Sequence, residues 1–132
     1  MALHLNEEQR ILQQELRQLL TDLSSSDVLR QSIEKNQPLD HNVWRALSEF
    51  GVLGTAIAEE FGGVGLGALE LGIVSQEIGR AVAPVPFFSS VCQAAQTLAL
   101  AGAPDQKMRW LPLIATGKIH RHFCLGRRKR SP

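Results

Sequence analysis

The sequence predicts an all-α domain, a bundle of about six helices. Two observations carry that expectation. Apolar residues recur at helical spacing in one segment after another, and capping residues, glycines and prolines fall between those segments. Composition agrees, because leucine and alanine dominate, only 5% of the residues are aromatic and tyrosine is absent. With 132 residues, 44% hydrophobic and 20% charged, the chain fits one domain. A domain of this size buries roughly two-thirds of the surface its unfolded chain exposes.

The elements follow in order. Asn6 is a good N-cap, and Gln9 three residues on completes a capping box, with Glu7 and Glu8 favourable in the first turn. Leu12, Leu16, Leu19 and Leu23 then share one face, and Ser24-Ser25-Ser26 ends the helix. A weaker helix runs from Asp27 to about Lys35 with Val28, Leu29 and Ile33 inward, before a turn at Asn36-Gln37-Pro38. Asp40 caps a third helix in which Val43, Leu47 and Phe50 share a face beside Trp44, and Gly51 suits its left-handed C-terminal residue. From Ala68 the stripe Leu71, Val74, Ile78 and Ala81, widened by Leu69 and Ile73, marks a central helix. Pro84 and Pro86 end it and open the next, whose residues Val91, Ala94, Ala95, Leu98 and Leu100 predict burial on most sides. Gly102 closes that helix. Pro104-Asp105 opens the last, with Met108, Leu111 and Ile114 inward and Pro112 kinking or ending it.

Between the third and fourth helices lies Glu59-Glu60-Phe61-Gly62-Gly63-Val64-Gly65-Leu66-Gly67. Four glycines so close together suit a loop that needs positive φ or a close backbone approach, not a helix interior. A nucleotide cradle fits poorly. The G-x-G-x-x-G spacing fails at Ala68, no β-strand leads in, no P-loop Lys-Ser/Thr follows, and Glu59 and Glu60 would repel phosphate. A structural turn is the better reading.

No complete catalytic constellation and no metal site is expected. The histidines at 4, 41, 120 and 122 lack a helical ligand spacing, and Cys92 and Cys124 show no metal pattern. Cys92, inside an apolar helix, reads as a small core residue. Glu59, Glu60, Glu70 and Glu77 could act as general acids or bases, although helical glutamates are usually solvated or salt-bridged. Pro86-Phe87-Phe88-Ser89-Ser90 combines two aromatics with two hydroxyls at a helix start, the make-up of a small-molecule pocket wall, although periodicity alone favours a core helix entry with serine caps. No run approaches the length of a membrane span, the N-terminus lacks the form of a signal peptide, and the cytoplasm is the expected location.

Five ordered segments together resemble the N-terminal helical domain of the acyl-CoA dehydrogenases. They are Trp44-Arg45-Ala46-Leu47-Ser48-Glu49-Phe50-Gly51, Ala58 to Gly65, Glu77-Ile78-Gly79-Arg80, Pro84-Val85-Pro86 and Leu111-Pro112-Leu113-Ile114-Ala115-Thr116-Gly117. The resemblance spans roughly residues 4 to 118 and leans towards the bacterial branch acting on sterol side chains or other bulky acyl groups. It implies α,β-dehydrogenation of an acyl-CoA thioester. A glutamate removes the α-proton, FAD takes the β-hydride, and electrons pass to an electron-transfer flavoprotein. It places Val85, Pro86, Ser89 and Ser90 near the distal end of the acyl chain, in one wall of the acyl pocket. The catalytic base and most FAD contacts belong to the family's other two domains, so this chain alone is expected to be inactive and not to bind FAD. The family is oligomeric.

Residues 1–118 carry nine lysines and arginines against thirteen acids, whereas the remainder carries five basic residues and no acid. Residues 119–132 therefore read as a foreign, disordered basic tail after a domain at 1–118. One codon choice for residues 120–125 (CAC CGG CAC TTT TGC CTT), read one nucleotide later, encodes Thr-Gly-Thr-Phe-Ala, the family's usual continuation. A frameshift that truncates a longer gene is the expectation, which the underlying DNA tests. Arg127 to Arg130 alone would suggest nucleic-acid binding, and that is not expected. The remaining alternative is a non-catalytic helical module that binds a protein partner through the glycine loop and residues 84–90.

Overall fold

Reciprocal capping starts the first helix as its sequence requires. In the computed structural model, which describes residues 4–119, α1 (Glu7–Leu23) begins with Gln9 N donating to Asn6 Oδ1 at 2.8 Å. Asn6 N donates back to Gln9 Oε1 at 3.0 Å. α2 (Ser26–Glu34) is capped by Ser25, and α3 (His41–Phe50) by Asp40, whose Oδ1 accepts from Asn42 N and Val43 N. Gly51 ends α3 at φ +86°, the left-handed conformation that glycine adopts without a Cβ penalty. α4 (Ala68–Arg80) follows the glycine segment, a π-helix spans Phe88–Ala95 and runs into α5 (Gln96–Ala101), and α6 (Pro104–Ala115) closes the bundle. Among the described residues there is no β-strand, so the all-α expectation holds.

α1 packs on α3 and α4; α6 packs on α5, the π-helix and the segment between α3 and α4. Their shared core contains Leu16, Leu20, Val43, Leu47, Val74, Val91, Leu111 and Ile114, all without solvent exposure. Leu53, Ile57 and Phe87 enter it from outside the α-helices. Each such side chain contributes about 1.5–3 kcal/mol on burial, against about 1 kcal/mol for a cap. Packing therefore sets the fold, and the caps set where each helix starts.

Several inward assignments are corrected. α2 has no buried residue: Val28 and Leu29 are half-buried and Ile33 is 79% exposed, because nothing packs on the outer side of this short helix. Phe50 sits at the rim and Leu69 is exposed. Leu20, not assigned an inward role, is fully buried in place of the half-buried Leu19. The π-helical winding of Phe88–Ala95 rotates the later residues relative to an α-helix, and Leu100 ends 86% exposed, so α5 is not buried on most sides. Met108 is likewise exposed on α6. Pro112 neither ends nor starts a helix; α6 runs through it to Ala115.

Two distant segments of the family-like pattern are tied directly. Trp44 Nε1 donates to Gly117 O at 3.0 Å, and Ser48 Oγ donates to Thr116 O at 2.7 Å. Gly117 has φ +66°, and a Cβ there would lie 2.8 Å from Leu53 Cδ1. Trp44→Phe is expected to lower stability by about 1–3 kcal/mol, from the lost hydrogen bond and the vacated volume. Urea unfolding followed by circular dichroism checks this.

The expected tail at 120–132, Cys124 and the histidines at 120 and 122 lie outside the described residues. Ile119, the last described residue, is half-buried against the core, with its N–H donating to Leu113 O.

Candidate functional site

The segment that leaves α4 builds one side of the candidate site. Ala81 N bonds Glu77 O, Val82 N bonds Gly79 O and Ala83 N bonds Ile78 O, so the chain turns sharply with Val82 at φ +50°. A β-branched residue in the left-handed region is strained and needs support from its surroundings. Support comes from three sides. Ser24 Oγ donates to Ala81 O at 3.3 Å, and Asp40 N donates to Pro84 O at 2.9 Å. Below the turn, Glu77 anchors α4 to α1.

Glu77 is fully buried on the apolar face of α4. Arg17 of α1 donates to both of its oxygens, Nη2 to Oε1 at 2.7 Å and Nε to Oε2 at 2.9 Å. Arg80 Nε donates to Oε2 at 2.9 Å, one helical turn on. These bonds, Arg17's foremost, hold the Glu77 carboxyl below the usual carboxylate range although burial opposes them. Glu77 is thus a structural anion paired with two arginines, and the Glu77-Ile78-Gly79-Arg80 motif acquires a physical role. At the other end of α4, Gln9 Nε2 donates to Glu70 Oε1 at 2.7 Å while Gly67 N donates to Glu70 Oε2. Gln9's amide and the helix-start N–H groups lower the Glu70 pKa. Neither glutamate is poised as a base.

After the turn, residues 83–86 and Ser89 face Pro38 and Leu39 across a cavity of about 480 Å³. Val85, Pro86 and Ser89 therefore come together, and Ser89 Oγ donates to Pro86 O at 3.3 Å. Ser90 does not join them. It is fully buried in the packed interior and does not line this cavity. Phe87 also enters the core and Phe88 is 66% exposed, so neither aromatic lines this cavity. The wall formed by Pro38 and Leu39 was not expected from the sequence. Cys92 is half-buried, with Sγ 3.4 Å from Ser75 Oγ, and burial pushes its thiol pKa up, away from a reactive thiolate.

The glycine segment folds on itself. Val64 N bonds Gly54 O, Gly65 N bonds Ile57 O and Leu66 N bonds Thr55 O, all between 2.8 and 2.9 Å. Gly62 N and Gly63 N bond Glu59 O and Ala58 O. Every N–H from 62 to 66 is engaged by the segment's own carbonyls, which leaves none to cradle a phosphate. Among the described residues no group of three His, Cys, Asp or Glu side chains could hold a metal ion, and no helix is long and apolar enough to cross a membrane.

Comparison with known proteins agrees with this architecture. Acyl-CoA dehydrogenase FadE29 of Mycobacterium tuberculosis is 37% identical over 128 residues, which cover 96% of this chain and 32% of that protein. The (2S)-methylsuccinyl-CoA dehydrogenase of Cereibacter sphaeroides is 37% identical over 86 residues, covering 64% of this chain and 16% of its own. Among solved structures, the Tcur3481-Tcur3483 steroid ACAD G363A variant superposes with TM-score 0.78 at 36% identity, over 86% of this chain and 31% of that one. The ChsE4-ChsE5 complex from Mycobacterium tuberculosis gives TM-score 0.83 at 28% identity, over 91% and 33%. The chain spans about a third of the first relative and of both structures. The family profile described as "Acyl-CoA dehydrogenase, N-terminal domain" matches residues 6–118, and on that extent of agreement the chain belongs to the acyl-CoA dehydrogenases, whose N-terminal helical domain it carries.

Proposed function

We propose that this domain forms one wall of the acyl pocket of a flavin-dependent acyl-CoA dehydrogenase, an oxidoreductase that introduces a Cα–Cβ double bond into acyl-CoA thioesters. The supporting observation is the cavity between Pro38-Leu39 and Val85, Pro86 and Ser89, an apolar lining with one hydroxyl, in a domain matched over its length by the family. Ser90 is fully buried in the π-helix and does not line that cavity. The domain extends over residues 1–118.

FAD, if bound by the whole protein, would supply the acceptor for the substrate's β-hydride. The glycine segment offers no cradle for the flavin's phosphates, since its amides are all engaged internally. This chain's part is to bind and orient the acyl group, and the chain alone binds without turning over. Cytoplasm is the proposed location. The likeness to a steroid ACAD supports a bulky acyl group, such as a sterol side chain, as substrate. Partners are an electron-transfer flavoprotein and further chains in an oligomer, for which the likeness to the ChsE4-ChsE5 complex is support.

The alternative, a non-catalytic interaction module, draws on exposed Val64, Leu66, Phe88 and Met108. A wall that packs against further domains exposes apolar side chains in the same way.

Calorimetric titration with a long-chain acyl-CoA tests the pocket. Binding is expected, and Val85→Trp, which fills the cavity, is expected to weaken it at least about tenfold, in keeping with 1–3 kcal/mol for overpacking. Equal affinity in both proteins would move the acyl site elsewhere.

A further inference from the structure

The wall at residues 83–86 hangs from a strained residue. Val82 sits at φ +50° and is 69% exposed, so packing around its own side chain does not hold the backbone there. A change of φ at Val82 swings the residues after it, and Ala83, Pro84, Val85 and Pro86 are the ones that line the cavity. Room for such a change exists. A separate space of about 350 Å³ borders the turn, lined in part by Ser24, Ala81 and Val82.

Two hydrogen bonds from outside α4 oppose it. Asp40 N donates to Pro84 O at 2.9 Å, and because Asp40 follows Leu39 this bond ties one wall of the cavity to the other. Ser24 Oγ donates to Ala81 O at 3.3 Å, on the other side of Val82. Ser24 is itself firmly placed: it ends α1, its N–H donates to Leu20 O at 2.8 Å, and it is 8% exposed. It does not line the acyl cavity. The strained residue is thus bracketed by one clamp within the wall and one remote from it.

We infer that Ser24 is a positioning residue for the acyl group: through Ala81 O its hydroxyl keeps Val82 in the left-handed conformation, and so holds residues 83–86 at their distance from Pro38 and Leu39. This rests on the acyl-pocket reading above. Ser24 acts through the turn and not by contact with the ligand. Its importance comes from the strain at Val82. Val82→Asn puts there a residue that tolerates the left-handed region, and makes the Ser24 bond dispensable.

The test is a calorimetric titration of the 132-residue chain with a long-chain acyl-CoA, at a temperature where circular dichroism shows every variant folded. Ser24→Ala is expected to weaken binding about fivefold, the worth of one hydrogen bond. In a chain that already carries Val82→Asn, the same substitution changes affinity by less than about twofold on that scale. Hydrogen exchange at the Asp40 amide reads the loosened wall without ligand: Ser24→Ala speeds it, and Val82→Asn removes the effect. A serine that only ends α1 would lower stability and leave affinity and Asp40 exchange unchanged, which overturns the positioning role and spares the acyl pocket. A loss of affinity that persists undiminished alongside Val82→Asn does not pass through the turn, and overturns it as well. If the unmodified chain binds no acyl-CoA, the pocket and the positioning role fall together.

Discussion

Glu77→Ala is expected to lower the unfolding free energy by about 3 kcal/mol. Removing a buried charge from a paired site costs 3–5 kcal/mol when its partner stays buried and uncompensated. Here the stranded partners are arginines whose side chains are 48% and 43% exposed, so water re-solvates them and the cost sits at the low end. What remains is the loss of three charge-assisted hydrogen bonds and of the filled volume. Glu77→Gln keeps one acceptor and the volume, and should cost less. Urea unfolding of the two variants gives the order; equal stability of Glu77→Ala and the unmodified chain would remove the clamp from the account.

The same carboxylate sets a pH dependence whose sign is fixed. Its folded pKa is depressed from 4.5, chiefly by Arg17 and then Arg80, so the folded state holds its proton less tightly than the unfolded chain. The stabilisation is complete above the unfolded value and is lost as pH falls through the folded one. Glu70 shifts in the same direction and adds to the slope. Denaturation midpoints of the unmodified chain should therefore fall below about pH 4.5, the ordinary carboxylate range. Glu77→Gln should narrow that fall, because the Glu77 contribution is gone while that of Glu70 stays. A gap between the two proteins that is constant from pH 7 to pH 3 would contradict this.

Much of this architecture was legible in the residues. Asn6 with Gln9, Asp40 and Gly51 are local devices, each complete within four residues, and each forms as read. What failed depended on distant neighbours. Ile33 and Met108 lie on helical stripes, but a stripe reports only that a face is apolar, and no other element arrives to cover these two. Leu100 moved because eight residues wind as a π-helix, for which composition offers no sign. The Arg17–Glu77 pair joins positions 60 apart, so spacing could not reveal it. One signal was present, though. Glu77 adjoins Ile78 and lies one turn beyond Val74, on a stripe otherwise apolar, and an acid there must find a cation. The candidate pocket was half legible: Val85, Pro86 and Ser89 were named, whereas Pro38 and Leu39 read only as a turn.

Gly63→Ala should be the most damaging single change in the chain, at about 3–4 kcal/mol or loss of folding, on the scale of backbone strain combined with broken packing. A Cβ at this position would overlap the carbonyl oxygen of Ile57 and lie 2.6 Å from Ile57 Cβ. Ile57 cannot yield. Its side chain is fully buried, its N–H is bonded to Gly54 O, and its carbonyl holds Gly65 N at 2.8 Å. Gly54 is just as confined, since a Cβ there would lie 3.1 Å from Gly63 Cα. Relief therefore means parting the two strands of the turn, which breaks the bonds at Val64, Gly65 and Leu66 and draws Ile57 from the core. Gly62→Ala is the control. Its φ of +78° disfavours a side chain, yet a Cβ there meets nothing within 4 Å, so only about 1–2 kcal/mol of conformational strain applies. If the two variants unfold at the same urea concentration, positive φ and not close approach governs this segment. If Gly63→Ala is the worse by 2 kcal/mol or more, the glycines exist to let two backbones touch, and inorganic phosphate should leave the melting temperature of the unmodified chain unchanged.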